Sequence, residues 1–199
     1  MQVTCRVTAH RRCDIINLFF RVLLTFNATS LLVIVFLVQK KYTLGYFLQF
    51  YPQFDFLRGW HPFASYILYL LVPFLLTGLS ILLSHGLSKD EFKEGDVVSI
   101  EYANNSFLPS YLGYFFVALS ISSWSALFFV YGVLFIFTFL SQALYFNPLF
   151  LVYRYEFYSI QTKGGASIFL ISKHSYKTPK NIVIAKVFRI NDYTFIERK

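Results

Sequence analysis

The chain has 199 residues, of which 56% are hydrophobic, 21% aromatic and only 14% charged. The apolar residues lie in long blocks, a distribution that excludes an ordinary water-soluble domain and predicts a multi-span α-helical membrane protein. The formal net charge is +8, and the two cysteines imply no disulfide framework.

The first apolar block, Val22 to Val38, follows a basic tail at residues 1–21. The block is long for a secretory signal and no small-residue cleavage site follows it, so we expect a retained span over residues 22–38. Four polar residues within it have no ionisable neighbour, which predicts packing between helices rather than a polar pathway. These are Thr25, Asn27, Thr29 and Ser30.

The loop at residues 39–61 carries many aromatic side chains among few charges. Such a segment is expected to lie along the outer surface of the bilayer, with its rings at the depth of the lipid headgroups. The rings either anchor the protein or form an exposed surface that senses membrane disturbance or an external ligand. The candidate sensing residues are Tyr46, Phe50, Tyr51, Phe54, Phe56 and Trp60.

A second apolar block predicts a span over residues 63–83, and the acidic segment 84–106 follows it. Ser88 and Glu91 fit a capping box, which predicts that a short helix begins there. The later part of the segment, Val97 to Tyr102, is expected to be extended.

No Lys, Arg, Asp or Glu occurs in the 52 residues from Tyr102 to Tyr153. A charge at the bilayer centre costs about 2.5–3.5 kcal/mol and one span needs about 20 apolar residues, so this run fits two spans. The polar cluster from Ser120 to Ser125 predicts a tight turn between a third span over 106–121 and a fourth over 125–146. Trp124 in this turn suits the depth of the membrane interface.

The positions of the basic residues indicate which span ends lie in the cytoplasm. Segments 1–21, 84–106 and 154–199 hold 15 of the 18 lysines and arginines. Four spans place all three segments on one side, so we expect both termini on the cytoplasmic side of the membrane.

After Asn147 and Pro148 the composition changes to that of short strands separated by turns. We expect a small antiparallel sheet or half-barrel near the minimum size for independent stability. The predicted strands are Tyr153–Thr162, Ser167–Ser172, Ile182–Ile190 and Tyr193–Glu197.

The sequence thus predicts an α-helical membrane protein with four transmembrane helices plus a small C-terminal cytoplasmic antiparallel β domain. The domains are the tail 1–21, the helix bundle 22–148 and the β domain 149–199. Segment 154–199 has a net charge of +6 and segment 84–106 of −3, so we expect contact between them, within or between subunits. The candidate partner-binding residues are Lys173, Lys177, Lys180, Lys186, Arg189, Glu91 and Glu94.

The residues form no recognisable catalytic constellation. Cys5, His10 and Cys13 match no standard zinc spacing, and Gly164-Gly165 lacks the residues of a phosphate loop. We therefore expect no enzyme activity, metal or cofactor. The spans lack charges beyond Arg21, which disfavours a small channel or transporter but leaves it as an alternative. Another alternative is a membrane anchor whose basic tail binds anionic lipid or nucleic acid; direct nucleic-acid binding is the less expected of the two.

Several short motifs carry a resemblance to a known group of proteins. They are Asn147-Pro148, Tyr158, Gly164-Gly165, Ile171-Ser172-Lys173 and Asp192-Tyr193. In this layout the chain resembles a group of small bacterial inner-membrane proteins. Within that group it is most similar to the KwaA family, whose members are the membrane subunits of the Kiwa anti-phage defence system. The resemblance implies a homo-oligomeric sensor, a tetramer, with a cytoplasmic partner, KwaB, that acts on phage DNA. It supplies no catalytic residues.

The leading hypothesis is therefore a non-enzymatic inner-membrane sensor and scaffold that recruits a cytoplasmic effector in anti-phage defence. Its expected partners are membrane lipid, further copies of the same chain and the effector.

Overall fold

The computed structural model describes residues 2–49, 60–92, 96–105, 108–141, 147–176 and 184–197. The helices are α1 (Gln2–Gln39), α2 (Leu44–Leu48), α3 (Pro62–Leu83), α4 (Leu108–Ser120), α5 (Trp124–Ser141) and α6 (Leu149–Val152). The strands are β1 (Ser88–Phe92), β2 (Val97–Tyr102), β3 (Glu156–Thr162), β4 (Ser167–Ser172), β5 (Ile184–Arg189) and β6 (Thr194–Glu197).

Within the described residues, three helical segments are long and apolar enough to cross a membrane: Asn17–Gln39, Pro62–Gly86 and Trp124–Ser141. They correspond to the first, second and fourth predicted spans, although residues 142–146 of the fourth lie outside the described residues. The predicted third span corresponds to α4, which has 13 residues. At 1.5 Å per residue α4 extends about 20 Å, less than the roughly 30 Å hydrocarbon core.

The predicted basic tail is continuous with the first span. Helix α1 runs unbroken for 38 residues because residues 2–39 contain neither glycine nor proline. All four polar residues that were predicted to pack between helices are buried. The Thr29 hydroxyl, for example, donates to the Thr25 carbonyl at 2.9 Å and lies 3.3 Å from the Tyr131 hydroxyl on α5.

Helix α1 packs against α3, α4 and α5, and single contacts fix the direction of each neighbour. The Gln39 side chain donates to the Leu119 carbonyl at 2.7 Å, so the C-terminal ends of α1 and α4 lie together. The Arg21 guanidinium donates to the Phe139 carbonyl, so the end of α5 lies beside the first half of α1. Helices α4 and α5 therefore run in opposite directions, which confirms the predicted turn near Ser120.

Helix α3 is also antiparallel to α1. Near its start, Tyr69 donates a hydrogen bond to the Tyr42 carbonyl just beyond α1. Near its end, Ile81 packs with Phe20 and Leu24 of α1. The four helices thus alternate in direction, and β1–β2 and the C-terminal strands emerge at the same end of the bundle.

The six strands form one sheet in the order β1-β5-β6-β4-β3-β2. The four strands predicted after Pro148 are confirmed within three residues at each end. Two predictions are wrong. The sheet is mixed, because β4 and β6 are parallel with Leu170 opposite Phe195, and the helix predicted from Ser88 is instead strand β1. The backbone hydrogen bonds between β1 and β5 stabilise an extended segment here, and this long-range pairing outweighs the local preference of the capping box for a helix.

The sheet buries both of its faces. One face, with Phe157, Ile171 and Ile196, packs against the helix bundle in a cluster that includes Phe20. The other face encloses a cluster made by strand residues, to which the two edge strands contribute Phe92 and Val97. The sheet is therefore covered on one side by the helices and packed on the other by its own side chains.

At two helix C-termini a basic residue occupies the position that is usually glycine. Lys41 (φ 57°) follows α1 and Arg154 (φ 62°) follows α6, both in the left-handed region. At each end the backbone N–H of the next residue donates a hydrogen bond to the carbonyl five positions earlier. The Tyr155 N–H, for example, donates to the Phe150 carbonyl. This Schellman geometry favours glycine, since the left-handed backbone costs other residues about 1–2 kcal/mol.

Asn147 fastens the chain after α5 to helix α3. Its side-chain amide donates to the Thr77 hydroxyl at 2.8 Å, and its carbonyl oxygen accepts from the Leu149 backbone N–H at 3.0 Å. Both Asn147 and Thr77 are fully buried. A buried polar group costs more when its partner is removed than the bond itself contributes.

We predict that Asn147→Ala lowers the free energy of unfolding by about 1–3 kcal/mol, because buried donors and acceptors lose their partners. Chemical unfolding of the purified protein in detergent measures this, with the exposed Asn105→Ala as a control. The loss should not add to that of Thr77→Ala; simple additivity would show that the two side chains do not act as a pair.

Candidate functional site

The structure describes six of the thirteen candidate site residues. They are Tyr46, Trp60, Glu91, Lys173, Lys186 and Arg189. The other seven lie outside the described residues; they are Phe50, Tyr51, Phe54, Phe56, Glu94, Lys177 and Lys180.

Tyr46 belongs to a group of packed rings at the end of the bundle away from the sheet, which we name the distal cluster. Its members are Phe36, Tyr42, Tyr46, Phe47, Trp124 and Phe128. Tyr42 stacks on Trp124 with ring centroids 5.3 Å apart, and Phe36 meets the same indole edge-on at 5.3 Å. Trp124 thus joins the end of α1, the α2 segment and the start of α5.

An apolar groove of about 300 Å³ runs from the distal cluster between α1, α3 and α5. Trp124 and Phe128 form part of its wall, together with Leu37 of α1 and Pro73 of α3. The α2 segment is held against the start of α3, because the Leu44 backbone N–H donates to the Ser65 hydroxyl at 3.1 Å. A movement of α2 therefore acts on all three helices that line the groove.

A second group of polar side chains lies at the sheet end, on the face away from the helices. We name it the Glu197 network. The Tyr176 hydroxyl donates to the Glu197 carboxylate, 2.9 Å from each oxygen, and His174 Nδ1 lies 3.1 Å from one of them. Ser172 donates to the same carboxylate, and Tyr158 accepts a hydrogen bond from the Tyr176 backbone N–H. The network holds the loop that follows β4.

Burial of the hydroxyl, followed by its bond to Glu197, raises the pKa of Tyr176. Burial likewise raises the pKa of Tyr158, whose hydroxyl donates to Glu156. Both tyrosines therefore remain protonated donors well above neutral pH. The Ser172 hydroxyl is directed at a carboxylate and not at the His174 ring, so it lacks the base contact that activates a serine nucleophile. The hydrogen bonds of this network hold the loop after β4 in place.

The candidate partner-binding residues fall at separate places on the sheet. Lys173 faces α3 beside Tyr155, with its Nζ 4.8 Å from the centre of that ring. Arg189 pairs with Asp192 on exposed surface, and Lys186 is exposed beside an irregularity in the β1–β5 pairing. Glu91 is exposed on the edge strand β1.

Sequence reasoning did not predict a network of Glu197, Tyr176 and Ser172, although it placed Ser172 in the motif Ile171-Ser172-Lys173. A single glutamate near the end of a strand has the pattern of a solvated residue, and nothing local marks it as buried. The parallel pairing of β4 with β6 brings Ser172 to Glu197, and only that long-range contact reveals the network.

We predict that Tyr176→Phe destabilises the protein and weakens its alkaline sensitivity. A pKa raised by folding means that the unfolded chain releases the proton first, so stability present below about pH 10 is lost as pH rises further. Chemical unfolding in detergent should show a smaller loss between about pH 8 and pH 11 for the variant. Tyr193→Phe, at an exposed tyrosine of the same sheet, should behave as the unmodified protein.

A comparison with protein families matches residues 20–196 to the family described as Anti-phage protein KwaA. The match begins in α1 and ends in β6, so it includes the distal cluster and stops one residue before Glu197. No curated protein and no solved structure matches the chain. Because the family match covers nearly the whole sequence, the chain belongs to the KwaA family of anti-phage proteins.

Proposed function

We propose that this KwaA-family protein is a non-enzymatic membrane sensor and scaffold that recruits a cytoplasmic effector. Membership of the family gives the setting, anti-phage defence. One observation carries the proposal: α1 is a single helix with Phe36 in the distal cluster and Phe20 in the core shared with the sheet. Phe20 and Phe36 are 16 positions apart, about 24 Å along the helix, so one continuous helix connects the distal cluster with the core that the sheet shares.

In this proposal the chain crosses the inner membrane four times, with both termini and the sheet in the cytoplasm. The alternating helix directions and the concentration of basic residues in segments 1–21, 84–106 and 154–199 support that topology. The short helix α4 would make the bilayer thin locally around it, a modest cost for a few ångströms of mismatch. Its buried contacts with α1 through Ala118 help to offset that cost.

The sensing step in this proposal begins at the distal cluster. Tyr46 and Phe47 are exposed beside the buried Phe36. A membrane disturbance that draws the exposed rings away from Trp124 would change the packing of α1 against α5. The shift would reach Phe157 and Ile171 of the sheet through their contacts with the start of the α1 span.

The assembly in this proposal is a homo-oligomer, a tetramer by the family resemblance, that holds the KwaB effector. Helix α5 presents large exposed apolar residues over much of its surface, as at Phe129 and Phe137, which can contact lipid or another copy. The effector would dock on the sheet face that carries the Glu197 network. Lys177 and Lys180 follow this network directly in the sequence, and Arg189 is exposed on β5.

We predict that Trp124→Ala lowers protection against phage about tenfold at equal membrane abundance. The reason is that a change of about 1.4 kcal/mol in the free-energy difference between two conformations of the protein changes the ratio of their populations tenfold. Plaque counts on cells that also express the effector measure protection. Phe116→Ala, at an exposed aromatic position of α4 outside the distal cluster, is the matched control. Full protection by Trp124→Ala would remove the distal cluster from the sensing step.

We predict that Lys177→Glu with Lys180→Glu releases the effector without reducing membrane insertion, because the positive charge that follows Tyr176 in the sequence is reversed. Co-purification of the effector with the full-length protein measures retention. Lys89→Glu with Lys163→Glu changes the net charge equally at other exposed positions and should retain the effector. Equal retention by both double variants would show that this patch is not the docking surface.

A further inference from the structure

A cleft of about 510 Å³ lies where the second half of α3 meets the sheet, apart from the distal cluster and the Glu197 network. One wall is apolar and comes from α3. The other wall comes from Tyr153, Tyr155 and Lys173. The α3 residues are Leu75, Gly78, Leu79, Ile81 and Leu82.

The tyrosine side of the cleft is fixed by close packing on α3. Tyr153 stacks on Phe74 with centroids 4.8 Å apart and donates to the Phe74 carbonyl at 3.0 Å. This fit requires Gly78, because a Cβ there would lie 2.7 Å from the Tyr153 hydroxyl oxygen. The cleft therefore has a rigid wall that positions the segment from Tyr153 to Tyr155 against a membrane-spanning helix.

The apolar wall faces the space that lipid would occupy. Leu75, Leu79 and Leu82 are 58%, 44% and 63% exposed on a helix apolar enough to cross a bilayer. Their spacing of three and four residues places them on one face of α3. An acyl chain lying along that face would fill the apolar part of the cleft.

The polar rim of the cleft is basic. Lys173 Nζ lies above the Tyr155 ring and makes no ion pair with any described carboxylate. Arg154 does not line the cleft itself, but it lies in the sequence between the two tyrosines that do, and it is exposed and held in the left-handed conformation that favours glycine. A strained residue that persists in such a place often has a functional reason. No acidic residue is among those that line the cleft.

We propose that this cleft binds one anionic phospholipid from the leaflet on the sheet's side of the membrane. The acyl chain lies along Leu75, Leu79 and Leu82, and the phosphate lies between Lys173 and Arg154. An amphipathic anion matches both halves of the cleft, as basic pockets beside spanning helices do for lipid headgroups. The bound lipid would bridge α3 and the end of β4, so the position of the sheet would depend on the surrounding lipid. This inference rests on membrane insertion and not on effector recruitment.

The test uses the full-length protein purified in detergent and titrated with phosphatidylglycerol, with phosphatidylcholine as the neutral comparison, and counts bound lipid by native mass spectrometry. We expect preferential binding of phosphatidylglycerol. Lys173→Gln and Arg154→Gly should each weaken it about fivefold, the effect of one basic residue near an anionic lipid surface. Lys163→Gln, at an exposed lysine in the β3–β4 turn, is the control.

Two further readouts separate lipid binding from a structural role. Arg154→Gly should raise the thermal midpoint of the protein while it weakens binding, because glycine relieves the backbone strain. Leu79→Trp, which fills the apolar half of the cleft, should also weaken binding, whereas Leu70→Trp on the same helix outside the cleft should not.

Several outcomes would overturn the proposal. Unchanged binding by Lys173→Gln and Arg154→Gly would exclude this cleft, and displacement of the lipid by equimolar inorganic phosphate would indicate a phosphate site instead. Loss of effector retention in Leu79→Trp without loss of lipid would assign the cleft to a protein segment. Failure of the unmodified protein to retain the effector, with lipid binding intact, would instead contradict the proposed function alone, so the two failures are distinguishable.

Discussion

The structure depends on one buried stripe along α1. Phe20, Leu24, Ala28, Leu32 and Phe36 recur every four residues and are at most 3% exposed. Residues at this spacing lie above one another on a helix, so they form a continuous ridge against which the other spans pack. The stripe begins in the core shared with the sheet and ends in the distal cluster. Membrane helices gain little from hydrophobic burial against each other, so this close packing decides their arrangement.

The sheet makes the bundle and the C-terminal region one unit. Strands β1 and β2 come from the connection between α3 and α4, and they form the two edges of a sheet whose centre comes from residues 156–197. The opposite net charges of the two segments predicted a contact between them. The contact is made through backbone ladders, as from Ser88 to Arg189, while the Arg189 side chain pairs with Asp192 of its own segment. Exposed ion pairs contribute little, so the ladders and the two apolar clusters hold the sheet together.

The polar groups fall into two kinds with different physical roles. Asn147 and Glu197 are buried and bonded, so they fix the segment after α5 and the loop after β4. Lys41, Arg154 and Lys173 are exposed basic residues at the two ends of the bundle, and two of them tolerate a backbone conformation that favours glycine. Buried bonds of the first kind specify the fold, whereas charges of the second kind are available to lipid headgroups or partner proteins.

The sequence by itself determined the apolar blocks, the turn before Trp124 and the four C-terminal strands, because hydropathy, turn residues and strand propensity act over a few neighbouring residues. It could not determine that Ser88 begins a strand, since β5 supplies the pairing from about a hundred residues away. Nor could it bring Ser172 to Glu197 or Lys173 to α3, because parallel pairing of β4 with β6 and docking of the sheet on the bundle decide both. Those contacts depend on which surfaces remain to be buried once the local elements have formed, and only the tertiary structure decides that.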